Sequence, residues 1–181
     1  FLYKKDKNSL LRFISNKVYK FSLSNKNLHL IVQNLNDKQI LDRLKKIDES
    51  SISLLPGSGV DLLKFYYSKP NFEENVFLMP CRMLWDKGVR EFVEAAKMIK
   101  EKYPKAKFIL SGPYEDNNPG RVPLTYLKEL NKSGVVNWIG DINDMVLIYE
   151  KSSVVVVPSY YNEGLPKVLL EAAACGRATI T

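Results

Sequence analysis

The sequence predicts an α/β protein: a parallel sheet with helices on both faces, joined to the closing part of a second unit of the same kind. Three observations predict it. From Asn75 onward, short apolar runs rich in Val and Ile alternate with amphipathic stretches, strand then helix then strand. The apolar runs end in Gly, Pro or polar loops. The charge also divides the chain. Residues 1–70 carry 13 Lys/Arg against 6 Asp/Glu, while residues 71–181 carry 14 against 14, so the net charge of +7 belongs to the first segment. The expected domains are therefore 1–68 and 69–181.

In the first segment, residues 8–21 fit a helix, because Leu10, Ile14, Val18 and Phe21 share one face. Residues 28–32 read as a buried strand ending in Gln33-Asn34, and residues 37–46 as a helix with Ile40, Leu41 and Leu44 inward. Residues 51–55 form a strand closed by Pro56-Gly57-Ser58-Gly59. Residues 64–72 show no period and read as a linker.

In the second segment, Val76 to Met79 is an apolar strand, followed by a helix over 91–100 with Phe92, Ala95, Ala96 and Ile99 inward. Pro104 ends it, since proline cannot continue a helix interior. Residues 108–110 are a strand, 115–120 a polar loop, 124–131 a short helix stopped near Gly134, 135–139 a strand and 142–151 a helix. Ser153 to Val157 is the clearest strand, β-branched and apolar on both faces. A helix should start at Leu165 or Pro166, and Ala178 opens one more strand. Ligands of such sheets bind beyond the carboxyl ends of the strands. The loops placed there are 80–88, 111–121, 140–142 and 158–166.

Several chemistries find no support. No apolar run approaches the ~20 residues that span a bilayer. Cys81 and Cys175 lie in apolar runs without metal-ligand spacing and read as buried thiols. His29, the only histidine, lies in a strand and reads as a core or edge residue rather than a base. There is no Asp-x-Asp to hold a divalent cation, so no metal is expected. Gly57-Ser58-Gly59 lacks the third glycine of a dinucleotide fingerprint and reads as a turn at the junction. Basic residues are not interleaved with aromatics on a strand platform, which argues against nucleic acid. The basic 1–46 segment could instead meet an anionic membrane surface, an attraction that added salt would screen; the plain alternative is a solvated lysine-rich face.

Two segments carry candidate chemistry. Arg82 and Lys87 flank a loop ending in Gly88, between a strand and a helix. Arginine makes forked bonds to phosphate oxygens and lysine adds a point charge; two merely exposed cations is the alternative. The run Glu163-Gly164-Leu165-Pro166 leads into a helix that carries Glu171 two turns on. Helix starts hold anions, and carboxylates accept from sugar hydroxyls. Together they suit a sugar diphosphate. The alternatives are that Glu163 complements the helix dipole, and that Lys167 and Glu171 form a weakly paired solvent stripe.

These residues together resemble the nucleotide-sugar glycosyltransferases of the GT-B fold, in particular the large retaining family four, also known as group 1. The resemblance rests on Arg82 with Lys87-Gly88, on Ser111-Gly112-Pro113, on Val154 to Ser159, and on Glu163-Gly164-x-Pro166 with Glu171 eight positions later. Gln33-Asn34 and Pro56 to Asp61 resemble the family's last N-domain strands and hinge. The wording is most similar to bacterial enzymes of surface-polysaccharide or lipid-linked oligosaccharide assembly. The resemblance implies two Rossmann-like domains, here the end of an acceptor-side domain and a truncated donor domain, in a fragment not expected to turn over alone. Arg82 and Lys87 would hold the diphosphate, and Glu163 the donor sugar's hydroxyls; these three are the expected catalytic group. The amides of Gly164, Leu165 and Pro166 would meet phosphate and sugar, Glu171 the ribose, and a backbone contact at Ile142 the base.

The expected function is transfer of a hexose or N-acetylhexosamine, with retention, from a UDP- or GDP-sugar to a glycan or polyprenyl-linked acceptor. No cofactor is expected, and the expected location is the cytoplasm or the inner membrane face. Alternatives are a nucleotide-sugar epimerase of the same fold and a non-catalytic membrane or nucleotide-sugar-binding module.

Overall fold

The computed structural model describes residues 13–14, 17–18, 21–25, 27–43, 48–70, 73–159 and 164–181. Residues 13–14, 17–18 and 21–22 are helical; the rest of the expected 8–21 helix, and much of the basic segment, lies outside the described residues. The chain forms two compact units that divide between Gly57 and Ser58, not after residue 68 as charge alone suggested. The stretch read as a linker explains the difference. Phe65 is buried among the core residues of the second unit and meets the Tyr149 ring edge-on, with centroids 6.2 Å apart.

In the first unit, β1 (Leu30–Val32) and β2 (Ile52–Leu54) pair in parallel, with Leu30 opposite Ile52. Helix α1 (Leu35–Arg43) connects them and starts two residues before the expected Asp37. Asn34 is the reason: its side-chain oxygen accepts from the Asp37 N–H at 2.7 Å, and its amide donates to the Asp37 carboxylate at 2.8 Å. His29 is exposed beside the sheet, its Nε2 2.9 Å from the Ser53 hydroxyl, at the strand edge rather than in a site.

The second unit holds a five-stranded parallel sheet in the order β5-β4-β3-β6-β7. Its strands are β3 (Val76–Pro80), β4 (Lys107–Ser111), β5 (Asn137–Trp138), β6 (Val154–Val156) and β7 (Ala178–Ile180). The helices between them are α2 (Val89–Lys102), α3 (Leu124–Ser133), α4 (Met145–Glu150) and α5 (Lys167–Ala174). Strand alternation divides the core in two. Met79, Phe108 and Leu110 pack with Phe92, Val93 and Ala96 of α2 and Leu127 of α3. Leu78, Val155 and Val157 pack with Val146 and Tyr149 of α4 and Ala172 of α5. Each fully buried side chain of this kind contributes about 1.5–3 kcal/mol.

Two elements are shorter than their apolar runs. The β5 strand covers only 137–138 of the expected 135–139, because the Asn131 side chain takes over the main chain of Trp138: its oxygen accepts from the Trp138 N–H at 2.6 Å and its amide donates to the Trp138 carbonyl at 2.9 Å. A side chain thus covers an edge that would otherwise offer free pairing groups. Helix α4 begins at Met145 rather than Ile142, since the Asp144 carboxylate accepts from the Val146 N–H at 3.1 Å. Among the described residues no helix is long and apolar enough to cross a membrane.

Candidate functional site

From β3 the chain builds outward through β4 and β5, then returns to add β6 and β7 on the other side. The loops after β3 and β6 therefore leave the sheet edge side by side at its switch point, where open α/β sheets bind ligands. A cavity of about 220 Å³ lies there. Its wall includes Cys81, Arg82 and Lys87 from the first loop, Val157 and Ser159 from the end of β6, and Pro166, Lys167 and Val168 from the start of α5.

Main-chain contacts fasten the loops around this cavity. The Met83 N–H donates to the Pro113 carbonyl (3.1 Å), Trp85 N–H to Gly120 (3.0 Å), Val122 N–H to Met83 (2.9 Å), and Gly112 N–H to Gly140 (2.7 Å). Two glycines make closer approaches possible. Gly112 has φ 141°, and a Cβ there would sit 1.9 Å from the Cys81 carbonyl oxygen; Gly88 has φ 84°, and its Cβ would sit 2.5 Å from that of Pro158. Only glycine combines such a φ with such contacts.

Arg82 is exposed, and its Nη1 lies 3.3 Å from Glu115 Oε1. The Asn118 amide, followed by Arg82, holds the Glu115 carboxyl below the usual carboxylate range against the opposing effect of desolvation. The guanidinium is thus oriented by an anionic partner. Burial pushes the Cys81 thiol up to about 12, with Asp86 adding to the shift and Lys87 opposing it. Among the described residues, Asp86 Oδ1 and Ser159 Oγ are buried without a hydrogen-bond partner, the kind of group a ligand's polar atoms satisfy.

The structure brings Arg82, Lys87 and Pro166 into one wall. Pro166 carries no N–H, so the first amides the helix can offer are those of Lys167 and Val168, which correct the expectation for Pro166 as a donor. Gly164 is half-buried and Leu165 exposed, both just before α5. Glu163 lies outside the described residues. Ile142 is half-buried after Gly140 and is not part of the cavity wall. Glu171 is no solvent stripe: it is 8% exposed, its Oε2 accepts from the Tyr149 hydroxyl at 3.0 Å, and its Oε1 lies 3.7 Å from Lys167 Nζ. Burial, then the Glu171 charge, raises the Tyr149 hydroxyl above its ordinary range. Lys167 in the wall, and Tyr149 behind Glu171, were not visible as site residues in the sequence. A single hydroxyl on an otherwise apolar face of α4 was the only hint.

Residues 66–181 match the family described as glycosyl transferases group 1. The chain belongs to the group 1 glycosyltransferases. This glycosyltransferase chain is 34% identical, over 96% of its length, to the Campylobacter jejuni N,N'-diacetylbacillosaminyl-diphospho-undecaprenol alpha-1,3-N-acetylgalactosaminyltransferase, of which it covers 47%. It spans about half the length of that relative, or less of others. Among solved structures, a glycosyltransferase from Rickettsia africae superposes with a TM-score of 0.70 at 22% identity, covering 91% of this chain and 47% of the other. Anabaena HepE, solved in complex with UDP-glucose, gives 0.67 at 18% identity, covering 91% and 48%. These two likenesses bear on the fold alone, the helix-flanked parallel sheets of GT-B glycosyltransferases.

Proposed function

We propose that the full-length protein transfers a sugar from a nucleoside diphosphate donor, with retention, to a lipid-linked or glycan acceptor. The observation that carries this reading is the cavity where Arg82 and Lys87 face the start of α5. Two cations and the helix amides on one hollow form an anion seat. The names of the relatives support the reading without deciding it. One acts on a diphospho-undecaprenol acceptor to make an alpha linkage, and another has been solved with a UDP-sugar.

On this reading, the bond from the anomeric carbon to the diphosphate oxygen breaks through an oxocarbenium-like transition state. Arg82, Lys87 and the helix amides meet the negative charge as it grows on the leaving group, a task for which no metal is required. Removing one such donor raises the barrier by about 2.7–4 kcal/mol. Glu163 orients the donor sugar. Glu171 of α5, with its carboxylate held by the Tyr149 hydroxyl, takes the ribose hydroxyls. The sugar is a hexose or N-acetylhexosamine and the base uracil or guanine.

Isothermal titration of the full-length protein with UDP and GDP tests the reading. Arg82→Ala and Glu171→Ala should each weaken the bound nucleotide by about tenfold or more, as expected for loss of a charge-assisted contact. Undiminished affinity in both variants would remove the transferase reading.

A further inference from the structure

Tyr149 is fully buried, at 0% exposure, with its ring edge-on to Phe65 and packed beside Ala172 and Cys175. The core therefore fixes where its hydroxyl stands. That hydroxyl lies 3.0 Å from Glu171 Oε2 and 3.5 Å from the Val168 carbonyl oxygen. It has one proton, and the nearer, charged acceptor takes it. The second carboxylate oxygen, Oε1, is turned toward Lys167 Nζ at 3.7 Å, and Lys167 lines the cavity. The two contacts differ in kind. The tyrosine is rigid and buried, whereas the lysine side chain is 63% exposed and its ion pair is worth little in water.

We propose that Tyr149 is a positioning residue for the nucleotide's ribose: it pins the Glu171 carboxylate so that both oxygens can accept from neighbouring hydroxyls of one sugar ring. This rests on the donor reading above. Each carboxylate oxygen has two acceptor positions. With Tyr149 occupying one position on Oε2 and Lys167 standing 3.7 Å from Oε1, a vicinal diol would take the remaining positions, and the orientation is set before the ligand arrives. Binding then avoids the entropy of ordering that side chain. Without the tyrosine hydroxyl, the carboxylate is free to swing onto Lys167 and satisfy itself there.

The test compares UDP and GDP with their 2′,3′-dideoxy forms, by calorimetry, on the full-length protein and on Tyr149→Phe, Glu171→Gln and the double variant. Phenylalanine keeps the ring that fills the core. The unaltered protein should prefer the ribonucleotide by about tenfold. Tyr149→Phe should shrink that preference several-fold by weakening the ribonucleotide while leaving the dideoxy form unchanged. The double variant should lose no more than Glu171→Gln alone, because one residue acts through the other. A protein that never distinguishes the two forms refutes the ribose role of Glu171, and this proposal with it. A preference undiminished in Tyr149→Phe, or losses that add in the double variant, overturns the positioning role and leaves the donor reading standing.

Discussion

Cys81 shows how far a single side chain in the cavity wall responds to its surroundings. Its thiol keeps its proton up to about 12 in the folded protein, against an ordinary value of 9.0. Between those two values the unfolded chain releases a proton that the native state retains, so stability falls as pH rises through that window and is complete below it. Thermal melts at pH 8 and pH 10 should therefore show a larger loss for the unaltered protein than for Cys81→Ala. Equal losses would mean the thiol titrates normally. At this scale the sequence was informative wherever residue type alone carried the message. Two cations in a loop between a strand end and a helix start could be read as an anion site, and Arg82 and Lys87 do share a wall. Glu171 was harder. Spacing showed that it lies four residues from Lys167, but which side of α5 turns inward depends on the α4 side chains packed against it. That is information from distant parts of the chain.

Among the elements, the apolar pattern located each strand and α-helix described in the second unit, but not the 3-10 turn Trp85–Lys87, and side-chain caps set several of their ends. Asn34 and Asp144 move two helix starts, and Asn131 shortens β5. Such bonds are local in space and ambiguous in sequence, because Asn and Asp suit turns, caps and loops alike. Gly88, at the start of α2, closely approaches the protein's own backbone at Pro158. Gly88→Ala should cost about 1–3 kcal/mol in guanidinium denaturation, from the left-handed φ alone. It should also weaken UDP or GDP binding by pushing the loop of Arg82 and Lys87 away from β6. A variant with an unchanged midpoint would show that the two loops part without penalty.

Across the whole second unit, the least legible residue was Arg177. It is 4% exposed, and its guanidinium donates to the carbonyls of Cys175, Ser152 and Glu150 and to both the carbonyl and the hydroxyl of Ser68. One side chain thereby joins the end of α4, the end of α5 and the segment that had looked like a linker. The same tie accounts for the unit boundary at Gly57 rather than residue 68. Arg177→Met would leave several buried carbonyls without donors, at about 1–3 kcal/mol for each one that water cannot reach. The expected result is a clear drop in melting temperature together with faster proteolysis near residue 68; retention of both would show that water replaces the guanidinium.

The backbone seams around the cavity, Met83 to Pro113, Trp85 to Gly120, Gly112 to Gly140 and Gly88 against Pro158, carry a consequence for how this architecture can diversify. Reshaping one rim segment would drag three others along with it. A descendant with a new ligand preference would therefore keep the frame and exchange individual side chains lining the mouth, at positions such as Cys81 and Lys167.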